Sequence, residues 1–200
     1  MRILFASDLH GNAACARIVA ERHAGHAADV PALLGDYMYQ GPRNPMPPDY
    51  DPAGLAAVLN GLKHAVVAVR GNCDSEADQM LCGFPMMSET AIIALPNSGG
   101  RASLSGTKAD APRRIILAHG HRHGPGSTCP GMPPLEPGDI LVRGHTHIPQ
   151  AETLNGLHYW NPGSAALPKG GWPPFYGFYA DGVFSVRALD SGRVLMEDRL

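Results

Sequence analysis

Short, almost wholly apolar runs recur along the chain, and each stops abruptly at a polar tract. Residues 2 to 7 form the first, and continuous apolarity over so few residues predicts a strand buried on both faces. Asn12 then offers a helix cap, and Ala13 to Ala24 carries helical spacing. Pro31 to Leu34 predicts a second buried strand, running into Gly35-Asp36. A proline-rich loop from Gly41 to Pro48 follows. Asp51-Pro52 opens a second helix, expected to reach about Leu62, and Ala65 to Val69 predicts a third strand that ends at Arg70-Gly71-Asn72. This β-α-β-α-β order favours a parallel sheet covered by helices.

The second half reads differently. Met86 to Leu95 and Arg114 to His119 predict strands, separated by a polar Gly/Ser stretch from Asn97 to Pro112. Gly120 to Gly138 is rich in Pro and Gly and reads as a surface loop. Asn155-Gly156 and Asp181-Gly182 lie between strand-like runs and are strong hairpin signals, with Ser191-Gly192 a weaker one. The expected architecture is one α/β domain spanning residues 1–200, with a mixed sheet followed by antiparallel hairpins.

Composition narrows the function. The chain has 200 residues, is 44% hydrophobic and carries a net charge of -2, enough for a core without staples. No basic block marks a nucleic-acid polymer as partner. The four cysteines, Cys15, Cys73, Cys82 and Cys129, have no CxxC spacing and read as reduced thiols. Residues 2 to 7 reach Asp8 too soon for a secretion signal, and no apolar stretch approaches the roughly 20 residues that span a bilayer. The expectation is a cytoplasmic protein with no membrane partner.

The polar tracts carry the chemistry. Successive strands end in Asp8-Leu9-His10, Gly35-Asp36, Gly71-Asn72-Cys73-Asp74, His119-Gly120-His121 and Gly144-His145-Thr146-His147. Alone, Asp36 reads as a helix cap, Asn72 as a turn residue and His119 as a half-buried histidine. Together they follow strand ends, where open α/β sheets gather their ligands. Asp8, His10, Asp36, Asn72, His119, His145 and His147 offer carboxylate, amide and imidazole atoms suited to Mn, Fe, Zn, Co or Ni. If one carboxylate bridges, seven groups supply four ligands to each of two divalent ions, a pairing that clamps a phosphate and activates water.

With these tracts in view, the sequence resembles the calcineurin-like metallophosphoesterases, and is most similar to the small bacterial YfcE-type phosphodiesterases. ASDLHGN, LLGDYMYQGPRNPMP, AVRGNCDSEADQML, LAHGH, GHTHIP and NPGSAALPKGG carry the resemblance over nearly the whole chain. It implies a four-layer αββα sandwich of two mixed β-sheets. It implies that Asp8, His10 and His147 bind one metal, that Asn72, His119 and His145 bind the second, and that Asp36 bridges them with a water or hydroxide. It also implies a Mn-dependent phosphodiesterase active on simple aryl phosphodiesters, with a small-molecule phosphate ester as the substrate.

Two positions depart from the wider superfamily. Cys73 stands where a leaving-group histidine is usual, as it does in the YfcE-type branch. Asp36 is followed by Tyr37, Met38 and Tyr39, without a second carboxylate. The expected mechanism is direct attack of the bridging hydroxide on phosphorus. Asp36, Asn72, Cys73 and Arg70 are the catalytic candidates, with Arg70 or Arg43 offsetting phosphoryl charge. Asn12, Arg43 and His121 are the candidate substrate contacts. Cys73, His121, His123 and a metal-bound water are the candidate proton donors. Cys73 as a covalent nucleophile is disfavoured by its acidic neighbours Asp74 and Glu76. NPGS, residues 161 to 164, reads equally as a common turn and as backbone placed near the site. Gly100 to Lys108 lacks the spacing of a P-loop.

The rivals are a phosphomonoesterase, a nucleotide pyrophosphatase or a cyclic-nucleotide phosphodiesterase on the same site. A rival of another class is a protein scaffold, since a retromer subunit resembles this fold. Tyr37, Met38, Tyr39 and Trp172 are the apolar loop residues that would form a partner or homo-oligomer surface.

Overall fold

The computed structural model describes residues 1–95, 113–122 and 132–200. His123, Cys129 and the expected loop from 97 to 112 lie outside the described residues, as does part of the 120 to 138 loop.

The first half folds as its pattern predicts. β1 (Ile3–Ala6), α1 (Ala13–Gly25), β2 (Val30–Leu33), α2 (Pro52–Asn60) and β3 (Val67–Ala68) follow in order, and the three strands pair in parallel. Asn12 caps α1 by accepting the Cys15 N–H at 2.9 Å, and Asp51 caps α2 by accepting that of Gly54 at 2.9 Å. A short helix, α3 (Glu76–Gln79), was not expected. The Ser75–Asp78 capping box builds it, each side chain bonding the other's backbone N–H.

β4 (Thr90–Leu95), β5 (Arg113–Ala118), β6 (Ile140–Val142), β7 (Gln150–Leu154) and β8 (Leu157–Asn161) form a second sheet in the order β4-β5-β6-β8-β7. β9 (Phe175–Ala180), β10 (Val183–Ala188) and β11 (Val194–Arg199) return to the first sheet, whose order is β11-β10-β9-β1-β2-β3. Both sheets mix parallel and antiparallel pairs. The hairpin turns fall at Asn155-Gly156 and Asp181-Gly182, where all four residues take the positive φ such turns require.

Side-chain alternation explains the continuous apolar runs. Along β1, Leu4 and Ala6 face the helices with Val19, Leu33, Leu55 and Leu59. Ile3 and Phe5 face the other sheet with Ile115, Leu117, Val142 and Trp160. A strand buried on both faces needs apolar residues at every position. Trp160 and Phe184 stack across the inter-sheet layer with centroids 4.4 Å apart. On the outer face of the second sheet, Met132 and Leu135 cover Ile116 and Leu141. Among the described residues, that face carries these side chains rather than a helix.

Several boundaries moved. α2 stops at Asn60, before Leu62, with turns closing on Gly61 and Leu62. The third strand is two residues long rather than five. β4 starts at Thr90 rather than Met86. Met86 is drawn into the helix-side core, and the Ser88 carbonyl accepts the Arg70 N–H at 2.8 Å, which holds this segment to the end of β3. Tyr37 and Met38 are buried, so they cannot serve as a partner surface. The Tyr37 hydroxyl donates toward the Val69 carbonyl at 2.8 Å, tying two strand ends together. Tyr39 and Trp172 are exposed.

Candidate metal centre

All seven predicted ligands lie just beyond the carboxyl ends of strands: Asp8 and His10 after β1, Asp36 after β2, Asn72 after β3, His119 after β5, and His145 and His147 after β6. Parallel strands in two packed sheets deliver these ends to one place. His147 Nε2 stands 3.3 Å from Asp8 Oδ1 and 3.3 Å from His10 Nε2. His119 Nε2 stands 3.4 Å from Asp36 Oδ2 and 3.2 Å from Asn72 Oδ1. Asp36 Oδ2 is also 3.8 Å from His10 Nε2, so this carboxylate lies between the two groups.

The backbone bends hard to do this. Asp8, His10, Asp36, His145 and His147 all have positive φ, between 45° and 65°. Left-handed backbone at a non-glycine residue costs on the order of 1 kcal/mol, and such strain clusters at functional sites. It persists here because hydrogen bonds hold it. The Asp8 N–H donates to the Gly35 carbonyl at 3.0 Å and the His10 N–H to the Asp36 carbonyl at 3.0 Å. Gly71 must be glycine, because a Cβ there would press into the Asp36 carboxylate.

Three backbone carbonyls set the imidazoles. His10 Nδ1 bonds the Tyr39 carbonyl at 2.8 Å, His119 Nδ1 that of Leu34 at 2.7 Å, and His147 Nδ1 that of Leu167. A carbonyl only accepts, so each Nδ1 carries a proton, and in the neutral imidazole each Nε2 turns its lone pair inward. Carboxylate oxygens meet those lone pairs. Asp8 Oδ1 is buried and has no hydrogen-bond donor. Acceptors that converge in this way fit a cation. Asp8, His10 and His147 form one compact group of possible ligand atoms, and Asp36, His119 and His145 another.

The electrostatics agree. Burial pushes the Asp36 carboxyl up, but His119 and the Cys73 N–H hold it well below the usual range. Burial likewise opposes ionisation of Asp8, and His147 and His119 hold it low. Burial lowers His119, yet Asp36 and Asp8 outweigh it and raise the imidazole to about 9, so with no cation bound a proton on its Nε2 takes that place. Burial, with the charge on His119, lowers His121 to about 4. The centre thus favours two carboxylates and draws positive charge between them.

The other candidates fall at varied distances from this core. Cys73 is half-buried, and its N–H donates to Asp36 Oδ1 at 2.8 Å. Burial and Asp36 push its thiol up to about 12, so it stays protonated near neutral pH. The His121 ring lies 5.5 Å from that of His119 and 6.2 Å from that of His145. Arg70 follows β3 and approaches Glu89 at 3.9 Å. Arg43 is exposed on its loop, whose Gly41 lies beside Cys73. The Asn12 side-chain oxygen is engaged in the helix cap.

Solved structures and known sequences place this arrangement in a family. Residues 1–180 match the model of the calcineurin-like phosphoesterase superfamily domain. The chain belongs to that superfamily. This calcineurin-like phosphoesterase is 40% identical to phosphodiesterase YfcE of Escherichia coli K12 over 98% of its own length and 97% of the relative's. It superposes on the structure of YfcE, a phosphoesterase from E. coli, with a TM-score of 0.86, 39% identity and 98% of each chain covered. It shares the fold of Entamoeba histolytica Vps29, solved with Zn2+, at a TM-score of 0.58 and 19% identity over 100% of this chain and 98% of that one. The family and the relative mark the chain as a metal-dependent phosphoesterase. No helix among the described residues is long and apolar enough to cross a membrane.

Sequence reasoning missed the residues that brace the calcineurin-like centre. Asp74 accepts the backbone N–H groups of Asp36, Tyr37 and Gly71 at 2.7–2.8 Å. Its position after Cys73 was the only signal. The NPGS turn, which one of its two sequence readings puts near the site, is a second brace. Asn161 Nδ2 donates to the Gly144 carbonyl at 2.9 Å, and the Ser164 hydroxyl donates to the Asp8 carbonyl at 2.8 Å.

Proposed function

We propose that this chain, working as one domain over residues 1–200, is a binuclear metal-dependent phosphodiesterase acting on a small phosphate diester. One observation carries the reading: Asp36 lies between two groups of inward-facing acceptors, 3.8 Å from His10 Nε2 and 3.4 Å from His119 Nε2. Asp8, His10 and His147 would hold one ion, Asn72, His119 and His145 the other, and Asp36 both. Oxygen donors alongside imidazoles suit Mn2+ first, with Fe, Zn, Co and Ni as rivals. Bound there, the ions supply Lewis acidity toward a phosphoryl oxygen and lower the pKa of water.

The chain's own residues do the rest. The Tyr39, Leu34 and Leu167 carbonyls keep the Nε2 atoms aimed inward. Arg70 and Arg43 lend positive charge to the mouth of the site, with Asn12 and His121 alongside as substrate contacts. The Cys73 thiol, held protonated, is a weak donor and not a nucleophile, so hydrolysis proceeds directly and favours acidic leaving groups. The 40% identity to a phosphodiesterase supports diesters over monoesters. The net charge of -2 speaks for a small substrate rather than a nucleic-acid polymer. The free thiols Cys15, Cys73 and Cys82 favour the cytoplasm, and self-association into a symmetric dimer is the assembly we expect.

The test is to strip the protein with chelator, restore each divalent metal, and assay bis-aryl and mono-aryl phosphates beside Asp36→Asn. Diester hydrolysis restored by metal and missing in the variant is the expected result. Monoester preference would change the substrate class. Turnover that ignores both metal and Asp36→Asn would sink the proposal.

A further inference from the structure

Beside the metal centre, two arginines converge on one carboxylate oxygen. Arg122 Nη1 lies 3.4 Å from Glu89 Oε1, and Arg70 Nη1 lies 3.9 Å from the same atom. The three come from separate segments: Arg70 from the end of β3, Glu89 from just before β4, and Arg122 from beyond β5. The Arg70 N–H bond to the Ser88 carbonyl, 2.8 Å long, fixes the first two together. Arg122 follows His121, whose ring is 5.5 Å from that of His119, so the trio sits on the His119 and His145 side of the centre.

An ordinary surface ion pair would explain one arginine, and such pairs contribute little. Two guanidiniums on one oxygen are different. Both approaches exceed hydrogen-bond length, so neither fork is locked in a bidentate pair. One negative charge against two positive leaves the trio with a net positive charge. The arginine side chains stay partly exposed, 32% for Arg70 and 53% for Arg122. Planar forks with donors to spare match the several acceptor oxygens of a phosphate.

We propose that Arg70 and Arg122, gathered by Glu89, form a subsite for a second phosphate, carried on one arm of the diester substrate. The proposal rests on the phosphodiesterase reading above and narrows it to diesters that bear a further phosphate. Glu89 acts as a spacer that holds the forks apart and competes with the incoming anion.

The experiment uses two non-hydrolysable phosphonate analogues of one diester, alike except that one arm ends in a further phosphonate or in a hydroxyl. Calorimetry on the metal-loaded protein should show the doubly anionic analogue binding about tenfold tighter, the scale of one charge-assisted hydrogen bond. Arg122→Ala should erase that preference and leave affinity for the hydroxyl analogue unchanged. Glu89→Gln should increase the preference. Equal binding of the two analogues by the wild type, or a preference that survives Arg122→Ala, overturns the subsite. Hydrolysis of the parent hydroxyl diester, assayed in the same preparation, separately tests the phosphodiesterase reading.

Discussion

Asp74 holds Asp36 from behind: its Oδ2 accepts the Asp36 N–H at 2.8 Å and the Gly71 N–H at 2.7 Å. Its other oxygen accepts the Tyr37 N–H at 2.8 Å. One buried carboxylate thereby fixes the left-handed turn that aims Asp36 at the centre. Asp74→Asn would set an amide against at least one of those donors. The expected cost is about 1–3 kcal/mol of stability. Metal affinity should fall at least about tenfold, the usual effect of losing an outer-shell partner. Urea unfolding and a metal titration check both. A variant that binds metal as tightly as the parent would remove Asp74 from this role.

Gly71 and Gly25 make a paired test of close approach. A Cβ on Gly71 would have the Asp36 carboxyl carbon 2.9 Å away and its oxygen nearer still, whereas a Cβ on Gly25 meets nothing within 4 Å. Gly71→Ala should abolish metal binding or folding. Gly25→Ala, at the end of α1, should be neutral or add about 0.5–1 kcal/mol. Thermal melts with and without metal separate the two.

Chelation should destabilise the fold. The inward acceptors of Asp8, Asp36, His10 and His147 repel one another unless a cation, or the proton His119 holds in its absence, lies between them. A ligand present at about a thousandfold its Kd stabilises by roughly 4 kcal/mol. Melting temperature should therefore fall with chelator and recover with divalent metal, and in Asp36→Asn the metal response should shrink. An unchanged melt in chelator would argue against a metal centre here.

A half-buried carboxylate away from the metal centre reports on acid stability. Asp198 of β11 accepts the Trp160 Nε1–H at 2.8 Å and pairs with His158 Nδ1 at 2.8 Å, joining the edge strand of the first sheet to β8 of the second. Burial pushes its carboxyl up, but Trp160 and His158 outweigh that and hold it below its usual 3.8. Folding therefore favours the ionised form. The stabilisation is present above about pH 4 and disappears as pH falls through the lowered value. Asp198→Asn should cost about 1–3 kcal/mol at pH 7, with the gap to the parent closing in acid. Denaturant melts across pH give the answer, and a gap that stays constant down to pH 2 would contradict it.

Much of the fold was legible in the order of residues. Strands buried on both faces must be apolar at every position, so β1 and β2 announced themselves. Asn12 and Asp51 as caps, and Asn155-Gly156 and Asp181-Gly182 as hairpin turns, are local chemistry that few residue types can perform. The metal-ligating residue types stood out for the same reason, because each followed a predicted strand. Local pattern misled where tertiary contact competes with it. Met86 to Glu89 has strand-like residues, but Met86 is recruited by the helix-side core and Ser88 by Arg70. Tyr37 and Met38 read as loop surface, yet they fill that core.

The sequence by itself determined the elements, the residue types at strand ends and the family they resemble, because periodicity and capping act over a few neighbours. Only the tertiary structure decided how those ends meet. It placed Asp36 between His10 and His119, turned three imidazoles by carbonyls 20 to 85 residues distant, set Asp74 behind Asp36 and gathered Arg70 and Arg122 on Glu89. Distances between segments far apart in the chain are set by sheet pairing and core packing, and no local pattern encodes them.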